Sequence, residues 1–261
     1  MHSSAFAKYF LLSIVSSASL SVFSAADPDD SGRARRVIEE ITVISQKTEQ
    51  TLKEIPASVT SLGGDQIRQA GAFNVDDIQN MAANTEVRIL PWGGDFRIRG
   101  FGTQSSNAAS EPSVATVVDG VFYGRSNYMS ALFVDIDRME ILRGPQGTLF
   151  GKNSTAGVIT VLSRKPGDEF AVDMDMLFGS FGESALRPAI DMPVSETFGL
   201  RYSGSYQHND GLLENTFLGR DEYNITQNVS RLRGVWNASD AVEVDILGMH
   251  SRQVMNNNIF Q

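Results

Sequence analysis

Beyond Phe170 the chain alternates apolar and polar residues with a period of two, and that pattern commits it to sheet. Val172, Met174, Met176 and Phe178 alternate with Asp173 and Asp175. Phe198, Leu200, Tyr202, Gly204 and Tyr206 alternate with Arg201, Ser203, Ser205 and Gln207, and Val242, Val244 and Ile246 alternate with Glu243 and Asp245. Each run is about 10 residues, the length and period of an outer-membrane barrel strand. A soluble β-sandwich shows the same alternation. The connections fit a barrel without deciding between the two, and the export signal at the N-terminus tilts the choice: Gly179 to Glu183 is short, Pro193 to Thr197 tight, His208 to Thr226 long and polar, and Asn237 to Ala241 tight. Tight turns at one end and longer loops at the other follow the barrel rule. Phe198, Tyr202, Tyr206 and Trp236 near strand ends fit an interfacial girdle or, equally, a sandwich core. Five such strands are expected, ending near Arg252. A closed barrel needs at least about eight, and an open edge in lipid leaves backbone groups unpaired. The expectation is therefore the N-terminal part of a longer barrel.

An export address precedes the strands. Lys8 supplies a positive n-region, Tyr9 to Val15 opens an apolar stretch, and Ser24-Ala25-Ala26 places small residues before Asp27. Residues 1–26 read as a cleaved signal peptide rather than an anchor, because the apolar run is too short and too rich in Ser to span a bilayer. The formal charge of −9 opposes nucleic-acid binding. With no Cys and three His, thiol chemistry and a multi-ligand metal site are not expected.

Residues 27–50 read as a polar arm with one β-prone island, residues 38–45, which has no neighbour in sequence to pair with. Such a strand adds to another protein's sheet or pairs within its own fold. Residues 51–167 read as a small α+β domain, and residues 168–261 as the alternating strands. In the α+β part, Asp65 to Gln69 and Asp76 to Met81 carry the acidic first turns of short helices. Strands are expected over 96–99, 115–118, 138–142 and 158–162, punctuated by glycines.

Three segments of this domain carry a family resemblance. Val117-Val118-Asp119-Gly120-Val121, the run from Met139 through Arg143-Gly144-Pro145-Gln146-Gly147-Thr148-Leu149-Phe150-Gly151, and Asn153 through Ile159 together resemble the plug domain of TonB-dependent outer-membrane receptors. Ile55-Pro56-Ala57-Ser58-Val59 and Phe96 to Phe101 match the same pattern. Glu39-Glu40-Ile41-Thr42-Val43-Ile44-Ser45 resembles that family's TonB box. The resemblance implies an α+β plug filling the lumen of an antiparallel transmembrane β-barrel, 22-stranded in the family. It also implies energised uptake of a scarce nutrient, chiefly a ferric siderophore or other iron complex. Its implied partners are TonB with an ExbB/ExbD-type energising complex, outer-membrane lipid and a small chelate, with no nucleic acid and no cofactor. Glu40, Ile41, Thr42, Val43, Ile44 and Ser45 would form the strand that TonB grips.

Arg97, Arg99, Glu140 and Arg143 lie in or beside plug strands, where an unpaired charge is costly to bury. With the resemblance, they are expected to lock plug to wall, guanidiniums facing lumenal carboxylates and Glu140 bridging; ordinary solvated strand faces are the alternative. Trp92, Tyr123, Arg125 and Tyr128 are candidates for ligand contact, by stacking and by charge. No catalytic or metal residues are assigned. Gly147 to Asn153 is one residue short of a P-loop and lacks its Ser/Thr. The sequons at Asn153, Asn224, Asn228 and Asn237 fit turn composition, His208 to Asp210 fits loop polarity, and no nucleophile elbow is present. The rival readings are an importer of cobalamin or glycan, a passive porin-like channel, a soluble periplasmic module, and a truncated product without function.

Overall fold

The computed structural model describes residues 42–43, 50–51, 58–90, 93–102, 110–124, 133–211, 213–217, 219–222 and 224–256. The signal peptide, most of the arm, and Glu40, Ile41, Ile44 and Ser45 of the expected TonB box lie outside them. The island does have a local partner: β1 (Thr42–Val43) pairs antiparallel with β2 (Gln50–Thr51), Thr42 opposite Thr51 and Val43 opposite Gln50. The expectation of no neighbour is thus corrected. At about 1 kcal/mol net per hydrogen bond, a two-residue ladder is a weak constraint.

The α+β domain begins with β3 (Ser58–Gly63) running into α1 (Gly64–Gln69). Gly64 is required there, because a Cβ would collide with the carbonyl of Ile136. A 3-10 turn follows over Val75–Asn80. Its Asp77 Oδ2 accepts from the backbone N–H of Phe73 at 2.9 Å and of Asn74 at 2.8 Å, capping the orphan donors. β4 (Thr85–Leu90) and β5 (Gly93–Ile98) form a separate hairpin. β6 (Val114–Val118), β7 (Val121–Tyr123), β8 (Ile136–Arg143), α2 (Gly147–Phe150) and β9 (Gly157–Ser163) complete the domain.

The five-stranded sheet runs β3-β8-β9-β6-β7, antiparallel except for the β6–β9 pair. β6 reads Val-Ala-Thr-Val-Val, an unbroken run, and all five residues are buried, as expected of a strand covered on both faces. Ile78, Ile98, Met139, Ile141 and Ile159 form the main core, and Ala115, Leu142 and Val158 a smaller one on the other side.

The remaining chain is a meander: β10 (Ala171–Phe178), β11 (Ser184–Ser195), β12 (Phe198–Asn209), β15 (Asn224–Ser239) and β16 (Val242–Asn256), each antiparallel to the next. The hairpin β13 (Leu213–Asn215) and β14 (Arg220–Glu222) rises from the long connection after β12. These five strands match the alternation read from the sequence, although β15 and β16 run to 16 and 15 residues, well past the expected ten. Among the described residues the sheet is open, with β10 and β16 at its edges. Two-residue turns lie at one end, 196–197 and 240–241, and the longer connections at the other. There the Asp210 backbone N–H reaches the Phe181 carbonyl at 3.0 Å.

The two faces of this wall sheet differ in chemistry. Val172, Met174, Met176, Phe178, Leu232, Trp236 and Ile246 stand exposed on one face. On the other, Arg201, Ser203, Gln227, Arg231 and Arg233 are buried against the α+β domain. A polar inner face buried by protein and an apolar outer face left open is the inverse of a soluble sandwich.

Candidate functional site

The seam between plug and wall gathers the densest charge in the structure. Arg201, on the inner face of β12, clamps Asp135 with two parallel bonds, Nε to Oδ2 and Nη2 to Oδ1, both 2.7 Å. Its Nη1 donates to Asp191 of β11, and Asp173 of β10 lies 3.8 Å away. One guanidinium therefore ties three wall strands to the plug. The fork geometry makes such a pair roughly twice as strong as a neutral hydrogen bond.

Arg233 of β15 makes a second clamp. Its Nη1 donates to the Ser163 carbonyl at 2.6 Å and to Ser163 Oγ at 2.9 Å, while Nε and Nη2 hold Asp245 of β16. Asp119 stands 3.7 Å from the same guanidinium and accepts from Ser163 N at 2.9 Å and Ser163 Oγ at 2.8 Å. Arg231 donates to the Val134 carbonyl at 2.6 Å. Arg187 of β11 lies 3.8 Å over the Phe73 ring and donates to the Ala72 carbonyl, and Gln207 donates to the Phe73 carbonyl at 2.9 Å.

The plug presents its acceptors from strained backbone. Asp119 and Asp135 both have positive φ, 47° and 52°. Asp tolerates the left-handed region better than most residues, at a cost of order 1 kcal/mol. The turns aim their carboxylates outward at the wall.

The seam is also polar and incompletely filled. A cavity of about 50 Å³ opens between the layers, lined by Arg68, Asp135, Asp173, Arg187 and Arg201. Its volume and polar walls suit a few waters. Breaking such contacts exchanges protein partners for water, which costs far less than parting an apolar core.

The residues expected to form the lock are satisfied differently. Arg97 Nε pairs with the buried Asp95 at 3.1 Å. Glu140 is fully buried and pairs with Arg138 of its own strand at 3.1 Å. Arg143 donates to Thr60 Oγ1 at 2.7 Å and to the Ala83 carbonyl at 2.8 Å. These partners all belong to the plug; across the seam the described ion pairs run both ways, from wall Arg201 to plug Asp135 at 2.7 Å and from plug Arg68 to wall Asp173 at 3.9 Å. Within the plug the cause is local: neighbours two residues away on a strand already satisfy Arg97 and Glu140. Arg99 sits in an exposed left-handed turn. Burial and the nearby positive charge of Arg99 hold the Arg143 guanidinium below its ordinary pKa. Arg99 is thus a neighbouring positive charge to Arg143. At the plug's other end, the hydrogen bond and charge of Arg164 pull the exposed Asp65 carboxyl below its usual range.

Of the ligand candidates, Tyr123 ends β7 and packs, half-buried, against the plug core. Trp92, Arg125 and Tyr128 lie outside the described residues. The wall residues Arg187, Arg201, Arg231 and Arg233 were missed, although a signal existed: each occupies an inward position of the alternating pattern, where a cation requires a partner.

Comparisons with known proteins agree with this architecture. Residues 51–158 match the TonB-dependent Receptor Plug Domain family. The pesticin receptor of Yersinia pestis is 40% identical over 65 residues, covering 25% of this chain and 10% of that protein. The ferripyoverdine receptor of Pseudomonas aeruginosa is 26% identical over 152 residues, covering 58% of this chain and 18% of the relative. The crystal structure of the ferric yersiniabactin uptake receptor from Yersinia pestis superposes with a TM-score of 0.66 at 20% identity, over 76% of this chain and 31% of that one. The chain thus spans less than a third of the length of these proteins, which are named as receptors and not as enzymes. Residues 51–158 thus match the TonB-dependent receptor plug domain, and the described fold, a plug braced against the polar face of an antiparallel sheet that is apolar on its far side, is similar to that of outer-membrane receptors.

Proposed function

We propose that the protein carrying this chain is an outer-membrane importer, energised through TonB and its ExbB/ExbD-type complex, that takes up an iron chelate. One observation carries the reading: wall arginines hold the plug through a polar, cavity-bearing seam, while the opposite face of the same sheet is apolar. A plug fastened by exchangeable polar contacts is stable at rest and can rearrange without exposing its hydrophobic core. The two-residue turns then face the periplasm and the longer connections the exterior. Residues 38–45 serve as the strand that TonB pairs with and pulls, the arm lying in the periplasm. Arg99 and Arg143, neighbouring positive charges on the plug, fit a further contact with lumenal carboxylates, with Arg97 and Glu140 bracing the plug behind them. Tyr123, with Trp92, Arg125 and Tyr128, belongs to the segments offered to the ligand. The iron-chelate assignment draws on relatives named for ferripyoverdine and ferric yersiniabactin.

The test is uptake of a panel of radiolabelled ferric chelates by cells expressing the complete receptor. Val43→Pro removes a ladder donor. It is expected to abolish energised uptake while surface binding persists. Wild-type import by the Val43→Pro receptor, or import that survives collapse of the proton gradient, would overturn the reading.

A further inference from the structure

The outward face of the wall sheet carries a boundary that crosses the strands obliquely. One register row runs Met176, Leu186, Tyr206, Asn228, Arg252 from β10 to β16, so it begins apolar and ends charged. On β10 the apolar run extends up to Phe178, whereas on β15 and β16 the continuous run stops three rows lower, at Leu232 and Gly248, and Val254 stands beyond Arg252 as a lone exposed apolar side chain. The lower edge slopes in the same sense, from Phe170 before β10 to Val242 on β16, a drop of two rows. Three rows are six residues, roughly 20 Å along a strand, against roughly 19 Å across four strand spacings. Two rows are roughly 13 Å over the same width. The two edges give a strand tilt of roughly 35–45°, the tilt of membrane barrels. The oblique boundary is therefore level in the membrane frame.

That frame gives the outward polar residues of β15 and β16 a height. His250, opposite Ser230, lies one row above the apolar edge, and Arg252, opposite Asn228, lies two rows above it. In the tilted frame these are roughly 5 and 10 Å beyond the hydrocarbon, within the headgroup layer. All four side chains are exposed on the outer face. Tyr206, in the same row as Arg252, and Tyr202, whose hydroxyl lies 3.5 Å from Ser230 Oγ, flank them with aromatic rings. The longer connections, on the reading above, put this end of the sheet outside.

We propose that Arg252, His250, Asn228 and Ser230 form a docking site for the phosphate of an anionic lipid headgroup in the outer leaflet. Arg252 supplies a planar fork of donors matched to a phosphate, and Asn228 and Ser230 supply neutral donors beside it. The apolar edge below, from Leu232 to Ile246, receives the acyl chains of the same molecule, and Tyr202 and Tyr206 sit at the junction. A cation placed there needs an anion at that depth, and a phosphorylated lipid delivers one. The inference rests on the outer-membrane reading, and its test separates the two.

The complete receptor is reconstituted into phosphatidylcholine vesicles, with or without diphosphorylated lipid A, and lipid retention after detergent extraction is read by native mass spectrometry. Wild type should retain lipid A and not phosphatidylcholine. Arg252→Glu with His250→Glu should weaken retention about tenfold or more, the effect of removing one charge-assisted hydrogen bond. The milder pair Arg252→Gln with His250→Gln should act in the same direction, which keeps the test valid should the acidic pair impair folding. Arg252→Lys should retain most binding, and free inorganic phosphate should not compete at matched concentration. Equal retention by wild type and both variant pairs, equal retention of a dephosphorylated lipid, or cross-links from position 252 to a second receptor would overturn the site. A receptor that inserts into vesicles yet shows no phosphate preference sinks this inference alone; one that remains in water sinks the outer-membrane reading with it.

Discussion

Arg201 concentrates the logic of the seam in one side chain. Its carboxylate partners, Asp135 on the plug and Asp191 on the wall, are both nearly buried. Removing the guanidinium would leave two nearly buried carboxylates facing each other, a loss of about 3–5 kcal/mol for a buried pair. Arg201→Ala is therefore expected to destabilise plug docking by that amount in denaturant unfolding of the detergent-solubilised receptor. The double substitution Arg201→Ala, Asp135→Ala should lose clearly less than the sum of the single changes, because the orphaned charge is gone. Additive losses would show that the fork carries no coupling. Arg143 differs in kind: its partners Thr60 and Ala83 are neutral, and Arg99 repels it. Its substitution affects the plug's own shape before it affects docking.

At the scale of elements, the plug sheet hangs on close backbone approaches that only glycine permits. Gly157, at the start of β9, has φ +157°, and a Cβ there would strike the Leu142 carbonyl and approach Ile98. Since β9 pairs with both β8 and β6, a shift at this point disturbs the ladder on either side. Gly157→Ala is expected to cost about 2–3 kcal/mol in the same unfolding assay. An unchanged midpoint would mean that the strand start relaxes without strain.

Elements were also what the sequence revealed best. The inward and outward sides of β10, β12 and β16 follow from strict alternation, and β6 and β9 from short apolar runs bounded by glycines. The second expected helix is a 3-10 turn, because the Asp77 carboxylate caps two donors ahead of it and the segment ends after six residues. The extra length of β15 and β16 was not legible, since Asn224 to Gln227 and Gln253 to Asn256 mix polar and apolar residues without the strict alternation of the segments before them. Their strand conformation comes from pairing with each other.

For the whole molecule, the arm and the plug differ in how firmly they are held. The arm has only the two-residue β1–β2 ladder among the described residues, whereas the plug has two buried clusters and several clamps. Amides of residues 27–45 should exchange with solvent within seconds in the resting receptor, and those of β6, β8 and β9 should be protected for hours or longer. Strong protection across the arm would contradict the proposal that it waits for a partner.

Local pattern alone determined that residues after Phe170 form sheet with one apolar face, that a glycine-punctuated α+β domain precedes them, and which family the motifs resemble. Those properties follow from the two-residue period of a strand and from turn chemistry, both written in neighbouring residues. Tertiary structure decided who fastens the plug. Arg201 meets Asp135 across 66 positions of chain, Arg233 meets Ser163 across 70, and Arg231 meets Val134 across 97. No spacing rule records such partners: a buried guanidinium requires some acceptor, and only the packing of one layer on another selects which.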